Sequence, residues 1–393
     1  MPKVANDKLS QVYAYGFVMF ARWPIYAHMI NKLKLTNFRN FKDKSLTFPD
    51  KTIVIVGDNA SGKTNIIEAL FLLSSGKSFR ARVEEEMVYY EEEIARVSGI
   101  VGSSGANDLT ALGAVLTRGE ITVGYSPVKK EKVARKKLSV NGIGKRLVDF
   151  TGIYKVVLFG PWDMDLVGGT PTLRRNFLDT VLSQVDREYG RASLSYDKGL
   201  RQRNRLLFRI REEGVLRSQL LFWNQLLIKN GDYITKTRED FINFINETGP
   251  LNDQTFELEY DKSIISQARL EQYKDEEVAS ATTLVGPHRD DFIFNVKSPK
   301  SKFKNKRELA KYGSRGEQRM GVLWLKMAEL AFVKEKSNEV PTLLLDDIFS
   351  ELDHEHRGVV LDTANKQQTI ITTADPHFIE SFEKVEKIRP SDL

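Results

Sequence analysis

A short glycine-containing stretch has the residue types that bind phosphate groups. Residues 57–64 read Gly-Asp-Asn-Ala-Ser-Gly-Lys-Thr, preceded by a β-branched run at 53–56 and followed by an apolar helical pattern from Ile66. Because glycine permits a tight turn, backbone N–H groups and the positive end of the next helix dipole converge on one point. This spacing predicts a P-loop that binds ATP, with Lys63 at the β and γ phosphates and Thr64 as a Mg²⁺ ligand. The predicted nucleotide contacts in the loop are Gly57, Asp58, Asn59, Ala60, Ser61, Gly62, Lys63 and Thr64.

Paired carboxylates end a second apolar run, near the other end of the chain. Residues 342–345 lead directly into Asp346 and Asp347. Such a run predicts a buried strand that delivers acids to a sheet edge. Beside a P-loop we interpret it as a Walker B motif, in which Asp346 holds the Mg²⁺ shell through water and Asp347 orients or deprotonates the attacking water. Asp347 and Lys63 are therefore the predicted catalytic residues, and Thr64 and Asp346 are the predicted metal-binding residues.

A third polar stretch opens an apolar helical pattern at Ser314. Ser314 is a good N-cap, and Glu317 three residues later completes the spacing of a capping box. The N-terminus of such a helix offers N–H donors to an anion. Taken alone, the same spacing is also typical of an ordinary capped helix.

These motifs need strands and helices to position them. Strands are predicted where apolar residues alternate with polar ones or form short runs. These strands are 30–36, 44–48, 53–56, 95–101, 109–117, 121–125, 137–140, 156–159, 256–260, 292–296, 342–345 and 369–373. Those between 94 and 148 predict an antiparallel sheet beside the P-loop core. Helical spacing at 172–246 predicts an inserted arm, whose two helices of at most roughly 40 residues would each be about 60 Å long.

The composition limits the possible classes of function. The 393 residues suffice for two or three domains, and none is cysteine, which excludes disulfides, thiolate zinc sites and cysteine nucleophiles and fits a reducing cytoplasm. No apolar run reaches the roughly 18 residues that a membrane helix requires. The formal net charge of +6 weakly favours polyanionic partners. Basic segments provide candidate DNA contacts, although such segments are also typical of solvated surfaces. The candidate residues are Lys129, Lys130, Arg135, Lys136, Arg201 and Arg205.

Six strings together resemble the RecF family of bacterial recombination and repair proteins, within the SMC and Rad50-like superfamily of ABC ATPases. They are LTNFRNF (35–41), GDNASGKTNIIEAL (57–70), GKSFR (76–80), LVGPHRDD (284–291), SRGEQR (314–319) and LLLDDIFSELD (343–353). The resemblance implies an α/β fold, an ABC-type P-loop ATPase head with a mixed sheet, an antiparallel β subdomain and a helical arm inserted in the head. The domains we expect are an N-terminal extension outside the fold (1–28), the first part of the head (29–165), the arm (166–279) and the second part of the head (280–393).

The resemblance also implies roles for single residues. In this family the signature motif, here Ser314, Gly316 and Gln318, closes over ATP bound to the P-loop of a second subunit. Asp353 would be the D-loop residue at the same interface, and Arg39 would lie near the nucleotide together with Arg80. In this chain no histidine occupies the switch position found in transporter ATPases, and Thr372 or Thr373 is the nearest candidate.

The implied function is that of a cytoplasmic, ATP-dependent DNA-binding protein of recombinational repair and replication. The implied cofactors are ATP and Mg²⁺, and ATP hydrolysis would be weak and stimulated by DNA. The implied partners are a second copy of the chain, gapped, junction or duplex DNA, and the proteins RecR and RecO, with which it would help to load RecA and support the SOS response.

Three alternative functions require features that this sequence lacks. A transporter ATPase subunit would carry L-S-G-G-Q and lack a basic arm, a Rad50-like tether needs far longer heptad repeats, and an ATP-sensing nuclease of the overcoming-lysogenisation type would append an acidic metal-binding domain. A non-hydrolysing adaptor that only binds ATP, or an ABC-type ATPase of another process, stays open.

Overall fold

The computed structural model describes residues 28–102, 109–118, 120–122, 130–132, 135–251, 253–297, 306–350, 354–375 and 386–388. Four sequence predictions lie outside the described residues, wholly or in part: residues 1–27 of the N-terminal extension, residues 123–125 of the predicted strand 121–125, Lys129 and Asp353.

Two compact units make up the described chain. We name them the P-loop unit (Tyr26–Asp163, Phe177–Ser193 and Val333–Leu393) and the arm unit (Met164–Asn176 and Leu194–Phe332). The arm unit therefore includes residues 280–332, which the sequence placed in the second part of the head. The predicted domain ranges stay a prediction.

Strands account for much of the P-loop unit. In chain order they are β1 (Met29–Phe38), β2 (Phe41–Thr47), β3 (Ile53–Val56), β4 (Ile94–Gly102), β5 (Thr110–Thr117), β6 (Glu120–Thr122), β7 (Lys130–Lys132), β8 (Lys136–Val140), β9 (Ile143–Lys145), β10 (Val156–Phe159), β11 (Thr255–Asp261), β12 (Asp291–Lys297), β13 (Arg307–Glu308), β14 (Thr342–Asp346), β15 (Thr369–Thr373) and β16 (Glu386–Ile388). Of these, only β11, β12 and β13 belong to the arm unit.

The helices lie between groups of these strands along the chain. The α-helices are Lys63–Ser75, Leu147–Phe150, Asp165–Gly168, Pro171–Val185, Arg187–Glu213, Leu220–Glu247, Gln267–Gln272, Lys274–Ser280, Leu309–Tyr312, Arg315–Ser337 and His354–Ala364. Short 3₁₀ helices are Glu84–Met87, Pro161–Met164, Arg217–Gln219, Pro287–Arg289 and Ile348–Ser350. Below, Lys63–Ser75 is called the P-loop helix and Arg315–Ser337 the signature helix.

A five-stranded parallel sheet forms the centre of the P-loop unit. Its spatial order is β10-β14-β15-β3-β16, and every neighbouring pair is parallel. The strands β10, β14 and β15 are buried along their whole length, as expected for parallel strands covered on both faces. Because parallel strands end at the same edge, the sheet brings the carboxyl ends of β3 and β14 together with only β15 between them.

A six-stranded antiparallel sheet lies on the other side of the P-loop helix. Its order is β2-β1-β4-β5-β8-β9, which confirms an antiparallel sheet beside the P-loop core. The predicted strand 121–125 is not part of it, because the described residues of that strand, in β6, pair with β7 in a separate two-stranded sheet. The packing is close, because a Cβ added at Gly99 in β4 would lie 2.6 Å from a methyl carbon of Leu73 in the P-loop helix. One face of the sheet is therefore core, and the other is left to solvent.

Two long helices characterise the arm unit. Arg187–Glu213 has 27 residues and Leu220–Glu247 has 28, so each is about 40 Å long, shorter than the upper bound from the sequence. The antiparallel sheet β11-β12-β13 packs in the same unit, where Phe256 of β11 lies beside Trp324 of the signature helix with ring centroids 5.7 Å apart. None of the helices among the described residues combines the length and the apolar character needed to cross a membrane.

A buried glutamine ties the two sheets of the P-loop unit together. The Gln368 amide oxygen accepts from the Ile30 N–H (3.0 Å) and the Thr342 hydroxyl (3.0 Å), while its nitrogen donates to the carbonyls of Ile30 (2.8 Å) and Pro49 (2.8 Å). One side chain thus satisfies backbone groups at the start of β1 and a side chain at the start of β14.

We predict that Gln368→Met lowers the free energy of unfolding by about 3 kcal/mol, because it leaves several buried polar groups without partners. The neighbouring Gln367→Met is the matched control, since the amide nitrogen of Gln367 is buried with no hydrogen-bond partner among the described residues. Urea unfolding of the two variants measures the difference. Equal losses of stability would contradict the role given to Gln368.

Candidate nucleotide-binding site

The P-loop follows the strand–loop–helix path that the sequence predicted. Strand β3 ends at Val56, the Gly57 N–H donates to the Thr373 carbonyl of β15 (3.3 Å), and the P-loop helix begins at Lys63. Gly62 has a φ of 102°, and a Cβ there would lie 2.6 Å from the side-chain nitrogen of Asn40. Both the left-handed backbone and this close approach require glycine.

Lys63 is folded back onto its own loop. Its ammonium group donates to the carbonyls of Gly57 (2.6 Å) and Asp58 (2.8 Å), and the residue is only 7% exposed. Burial lowers the pKa of Lys63, while the charges of Asp347, Asp346 and Asp58 act in the opposite direction. The cation is therefore held at the loop by carbonyl groups and carboxylates, where a phosphate group would be its stronger partner.

Thr64 and Asp346, the two predicted metal-binding residues, are in contact. The Thr64 hydroxyl donates to a carboxylate oxygen of Asp346 at 3.2 Å, and the Thr372 hydroxyl donates to the same oxygen at 2.5 Å. Burial raises the pKa of Asp346, and the hydrogen bonds from Thr372 and Thr64 oppose that rise. Thr372, the nearest switch candidate in the sequence, therefore lies at the site as a partner of Asp346.

This donor set fits Mg²⁺. The ion prefers oxygen ligands, keeps several waters, and usually takes only one or two protein side chains together with substrate phosphates. No group of three or more His, Asp or Glu residues within the described ranges could hold a metal ion by itself. In addition, the Ser61 hydroxyl in the loop is buried without a hydrogen-bond partner in the described part of the chain, as expected where a phosphate oxygen would complete the site.

Asp347 adopts an uncommon backbone conformation. Its φ is 52°, in the left-handed region, and its N–H donates to the Thr372 carbonyl at 3.1 Å. Aspartate tolerates this region better than most residues, and such strain concentrates at functional sites. The turn directs the chain away from the sheet immediately after Asp346, a feature that the sequence pattern did not reveal.

Glu68 is a site residue that the sequence analysis missed. Its side chain is completely buried, one turn after Thr64 in the P-loop helix. Arg39 donates to both of its oxygens (2.7 and 2.6 Å), Arg80 donates at 2.9 Å and Ser78 at 2.5 Å. One signal in the sequence could have identified Glu68, namely a glutamate at a buried position of an apolar helix. Carboxylates are rarely buried without a partner, so such a residue indicates cations nearby.

Arg39 and Arg80 are thus placed differently around this carboxylate. The Arg39 guanidinium also donates to the Glu86 carbonyl and is 16% exposed, whereas the Arg80 side chain is 40% exposed. Arg80 also donates to the Asn65 side chain. The contact of Arg39 with nucleotide stays a prediction, and its described contacts are those of an anchor for Glu68.

The signature stretch begins its helix as the sequence predicted. The Ser314 hydroxyl accepts from the Glu317 N–H (3.2 Å), and the Glu317 carboxylate accepts from the Ser314 N–H (2.8 Å), which completes a capping box. Ser314 and Gly316 are exposed, and the Gln318 amide donates to the Leu309 carbonyl (3.3 Å). The role of these residues towards ATP stays a prediction.

The basic residues proposed from the sequence have mixed surroundings. Lys136 donates to Glu84 at 2.8 Å, and Arg135 lies 3.9 Å from Glu85. Each of these two cations therefore has an acidic partner within the P-loop unit. Lys130 lies in β7, where only the backbone is described. Arg201 and Arg205 are exposed on the helix Arg187–Glu213.

Arg203, on that same helix, has a different role from its neighbours. It is 2% exposed and donates to Glu277 (2.6 Å), Thr283 (2.8 Å) and Asn224 (2.8 Å). Arg203 is therefore part of the core of the arm unit.

Two features define an ABC-type P-loop ATPase head. The P-loop strand and the acid-bearing strand are separated by one strand, and an antiparallel sheet covers the P-loop helix. The sequence profile described as "RecF/RecN/SMC N terminal domain" matches residues 29–392. Two proteins named "DNA replication and repair protein RecF" are similar to this chain. The one from Lachnoclostridium phytofermentans is 34% identical over 355 residues, covering 88% of this chain and 92% of that protein, and the one from Thermomicrobium roseum is 33% identical over 395 residues, covering 90% and 95%.

A solved structure described as "recombination mediator protein RecF-ATP in RecFOR pathway" matches with a TM-score of 0.80 at 27% identity, covering 95% of this chain and 99% of that one. The chain belongs to the RecF family of DNA replication and repair proteins. The α/β fold class, with its ABC-type P-loop ATPase head, and the family expected from the sequence are both confirmed. The described strands of the central sheet are all parallel, however, and do not form the mixed sheet that was expected.

We predict that Glu68→Gln lowers the free energy of unfolding by about 3 kcal/mol at neutral pH, because it leaves two arginines without their carboxylate. Although burial alone would raise it, hydrogen bonds from Arg39 and Ser78 lower the pKa of Glu68 below its ordinary value of 4.5. The carboxylate therefore stabilises the fold above that pH, and its contribution is lost on acidification through the lowered pKa.

Urea unfolding between pH 7 and pH 3 measures both effects. The wild-type protein should lose stability towards the variant's value as the pH falls. Ser74→Ala, on the same helix, removes one hydrogen bond of 3.0 Å to Gln184 and should cost only about 1 kcal/mol. A Glu68→Gln variant as stable as the Ser74→Ala variant would contradict the analysis.

Proposed function

We propose that this chain is an ATP-dependent DNA-binding protein of recombinational repair whose two copies associate around ATP. The observation that carries the proposal is the contact of 3.2 Å between Thr64 and Asp346, which are 282 residues apart in the sequence. The fold brings a P-loop hydroxyl and a strand-end carboxylate to one point beside Lys63. A bound nucleoside triphosphate is the ligand that this combination of groups fits best.

In the proposed ATP complex, Lys63 leaves the carbonyls of Gly57 and Asp58 and donates to the β and γ phosphates. Thr64 and Asp346 would hold Mg²⁺, and the ion would supply positive charge to neutralise the charge that develops on the phosphates during hydrolysis. Asp347 orients the attacking water and accepts its proton.

The proposed dimer uses the signature helix of one copy and the P-loop of the other. The P-loop surrounds a triphosphate from one side only, and an exposed helix N-terminus is a general anion-binding feature. Ser314 and Gly316 are exposed, and the capping box holds the first turn in a fixed geometry. ATP would then join two copies, and its hydrolysis would separate them.

The proposed partners follow from the relatives. RecF is described as a recombination mediator in the RecFOR pathway, so we propose that this chain acts with RecO and RecR in the cytoplasm. Its DNA would be a gapped, junction or duplex substrate, and the complex would help to load RecA and support the SOS response. Weak ATP hydrolysis stimulated by DNA would reset the dimer.

A non-hydrolysing ATP-binding adaptor is the second candidate. It is favoured by Asp347, whose side chain is one methylene shorter than glutamate and whose backbone has a φ of 52°. Phosphate release measured with and without duplex DNA separates the two functions, since an adaptor produces no phosphate under either condition.

We predict that Lys63→Met lowers ATP affinity roughly 100-fold, because charge-assisted hydrogen bonds to phosphate are lost, and that it abolishes ATP-dependent dimers. Asp347→Asn should keep ATP binding and accumulate dimers, because the proton acceptor is removed while the phosphate contacts remain. Lys51→Met, an exposed lysine just before β3, is the control and should behave as wild type.

Sedimentation velocity with ATP, ADP or no nucleotide measures these outcomes. Equal amounts of dimer with and without ATP would contradict the coupling of nucleotide to association.

A further inference from the structure

The solvent-facing side of the six-stranded antiparallel sheet is strongly basic. Residues of β1 alternate strictly, since Leu33 and Leu35 are buried while Lys32 and Lys34 are exposed. The buried side packs into the core with the P-loop helix. We call the other side the basic sheet face and define it by its exposed cations, which are Lys32, Lys34, Arg96 and Lys137.

Few acids offset these cations. Asp43 on β2 belongs to the same face and lies 3.8 Å from Lys34, with both side chains more than half exposed. Lys32, Arg96 and Lys137 have no ion-pair partner within the described residues. By contrast, the adjacent Lys136 points to the opposite side of the sheet and is paired with Glu84. Because successive residues of a strand point to opposite sides, Lys137 is on the basic sheet face while Lys136 forms its ion pair on the other side of the sheet.

The strand register places the cations at regular distances. Lys32 and Lys34 are two residues apart on β1, which corresponds to about 6.8 Å. Arg96 on β4 pairs with Thr36 of β1, so it is a diagonal neighbour of Lys34 at about 8 Å. Lys137 is two strands beyond Arg96, through Val115, at about 9.6 Å.

Small residues lie between the cations. A row across the sheet that includes Lys34 continues through Ser45, Ser98, Gly113, Ser139 and Gly144. These residues present no bulky side chain to solvent. A rigid, elongated polyanion could therefore approach the backbone of the sheet closely while the long cationic side chains contact it.

We propose that the basic sheet face binds the phosphate backbone of duplex DNA. The inference rests on the proposed DNA-binding function and adds the surface that performs it. Lysine and arginine side chains are the usual donors to DNA phosphates, and contacts of this kind position a protein without reading bases. Binding through this face should therefore be independent of sequence and strongly dependent on salt.

The test compares two variants with the same change in charge. The face variant is Lys32→Gln, Lys34→Gln, Arg96→Gln and Lys137→Gln. The control variant is Lys51→Gln, Lys229→Gln, Lys334→Gln and Lys366→Gln, all at exposed positions outside the sheet. Fluorescence anisotropy with a labelled duplex, in the presence of a non-hydrolysable ATP mimic, gives affinities at several salt concentrations. Binding of a fluorescent ATP analogue reports whether each variant is folded.

We expect the face variant to bind duplex DNA at least tenfold more weakly near 150 mM salt. The slope of log affinity against log salt should decrease by about 3.6, which corresponds to the loss of four phosphate contacts. The control variant should stay within about twofold of wild type, and ATP binding should be unchanged in both. Replacing Lys32, Lys34 and Lys137 by arginine should keep the affinity and the slope.

Three results would overturn the proposal: a face variant that binds DNA as wild type does, an equal loss in the control variant, or competition by poly-glutamate as effective as competition by duplex. A face variant that loses ATP binding is replaced by the single variants Lys34→Gln and Lys137→Gln, each of which should lower the slope by about 0.9. If wild-type protein itself binds no DNA at any salt concentration, the proposed function fails and not only the choice of surface.

Discussion

The geometry of parallel strands is the constraint on which this site depends. Strands that run in one direction end at one edge, so β3 and β14 deliver Lys63, Thr64 and Asp346 to the same place although the sequence separates them widely. Between them, β15 contributes Thr372, whose hydroxyl and carbonyl contact Asp346 and Asp347. Without that sheet order, the loop and the acids would be two unrelated motifs.

A second layer of contacts supports the P-loop from the antiparallel sheet. The turn between β1 and β2 carries Arg39 and Asn40; Arg39 is anchored on Glu68, and Asn40 lies against Gly62. The strand β1 that leads into this turn also carries Lys32 and Lys34. The proposed basic sheet face and the turn that supports the P-loop therefore belong to one continuous segment of the chain.

Local patterns predicted much of this architecture from the sequence. The P-loop, the acidic strand end and the capping box are contiguous in the chain, so their residue types and spacing contain the information. The alternation in β1 and the apolar run of β14 predicted their burial for the same reason. These are features in which a residue's neighbours in the sequence determine its surroundings.

Other features depend on residues that are distant in the sequence. Glu68 looked like an ordinary helix residue, because its partners Arg39, Ser78 and Arg80 come from two other segments. The basic run 129–137 was a reasonable candidate for DNA contact. The ion pair of Lys136 with Glu84 and the outward direction of Lys137 follow from strand pairing, which the run alone does not reveal. The left-handed φ of Asp347, whose N–H donates to the Thr372 carbonyl of β15, is likewise a feature that the local sequence does not reveal.

The central claim is that two copies of the chain share each ATP molecule. The absence of cysteine from the sequence allows a direct measurement, since Ser314→Cys in one preparation and Asn59→Cys in another provide unique thiols on the signature helix and the P-loop. The two preparations are mixed and treated with a short bis-maleimide. Our account predicts covalent heterodimers with a non-hydrolysable ATP mimic and few with ADP or without nucleotide. Heterodimers that form to the same extent under all three conditions, or under none, would contradict it.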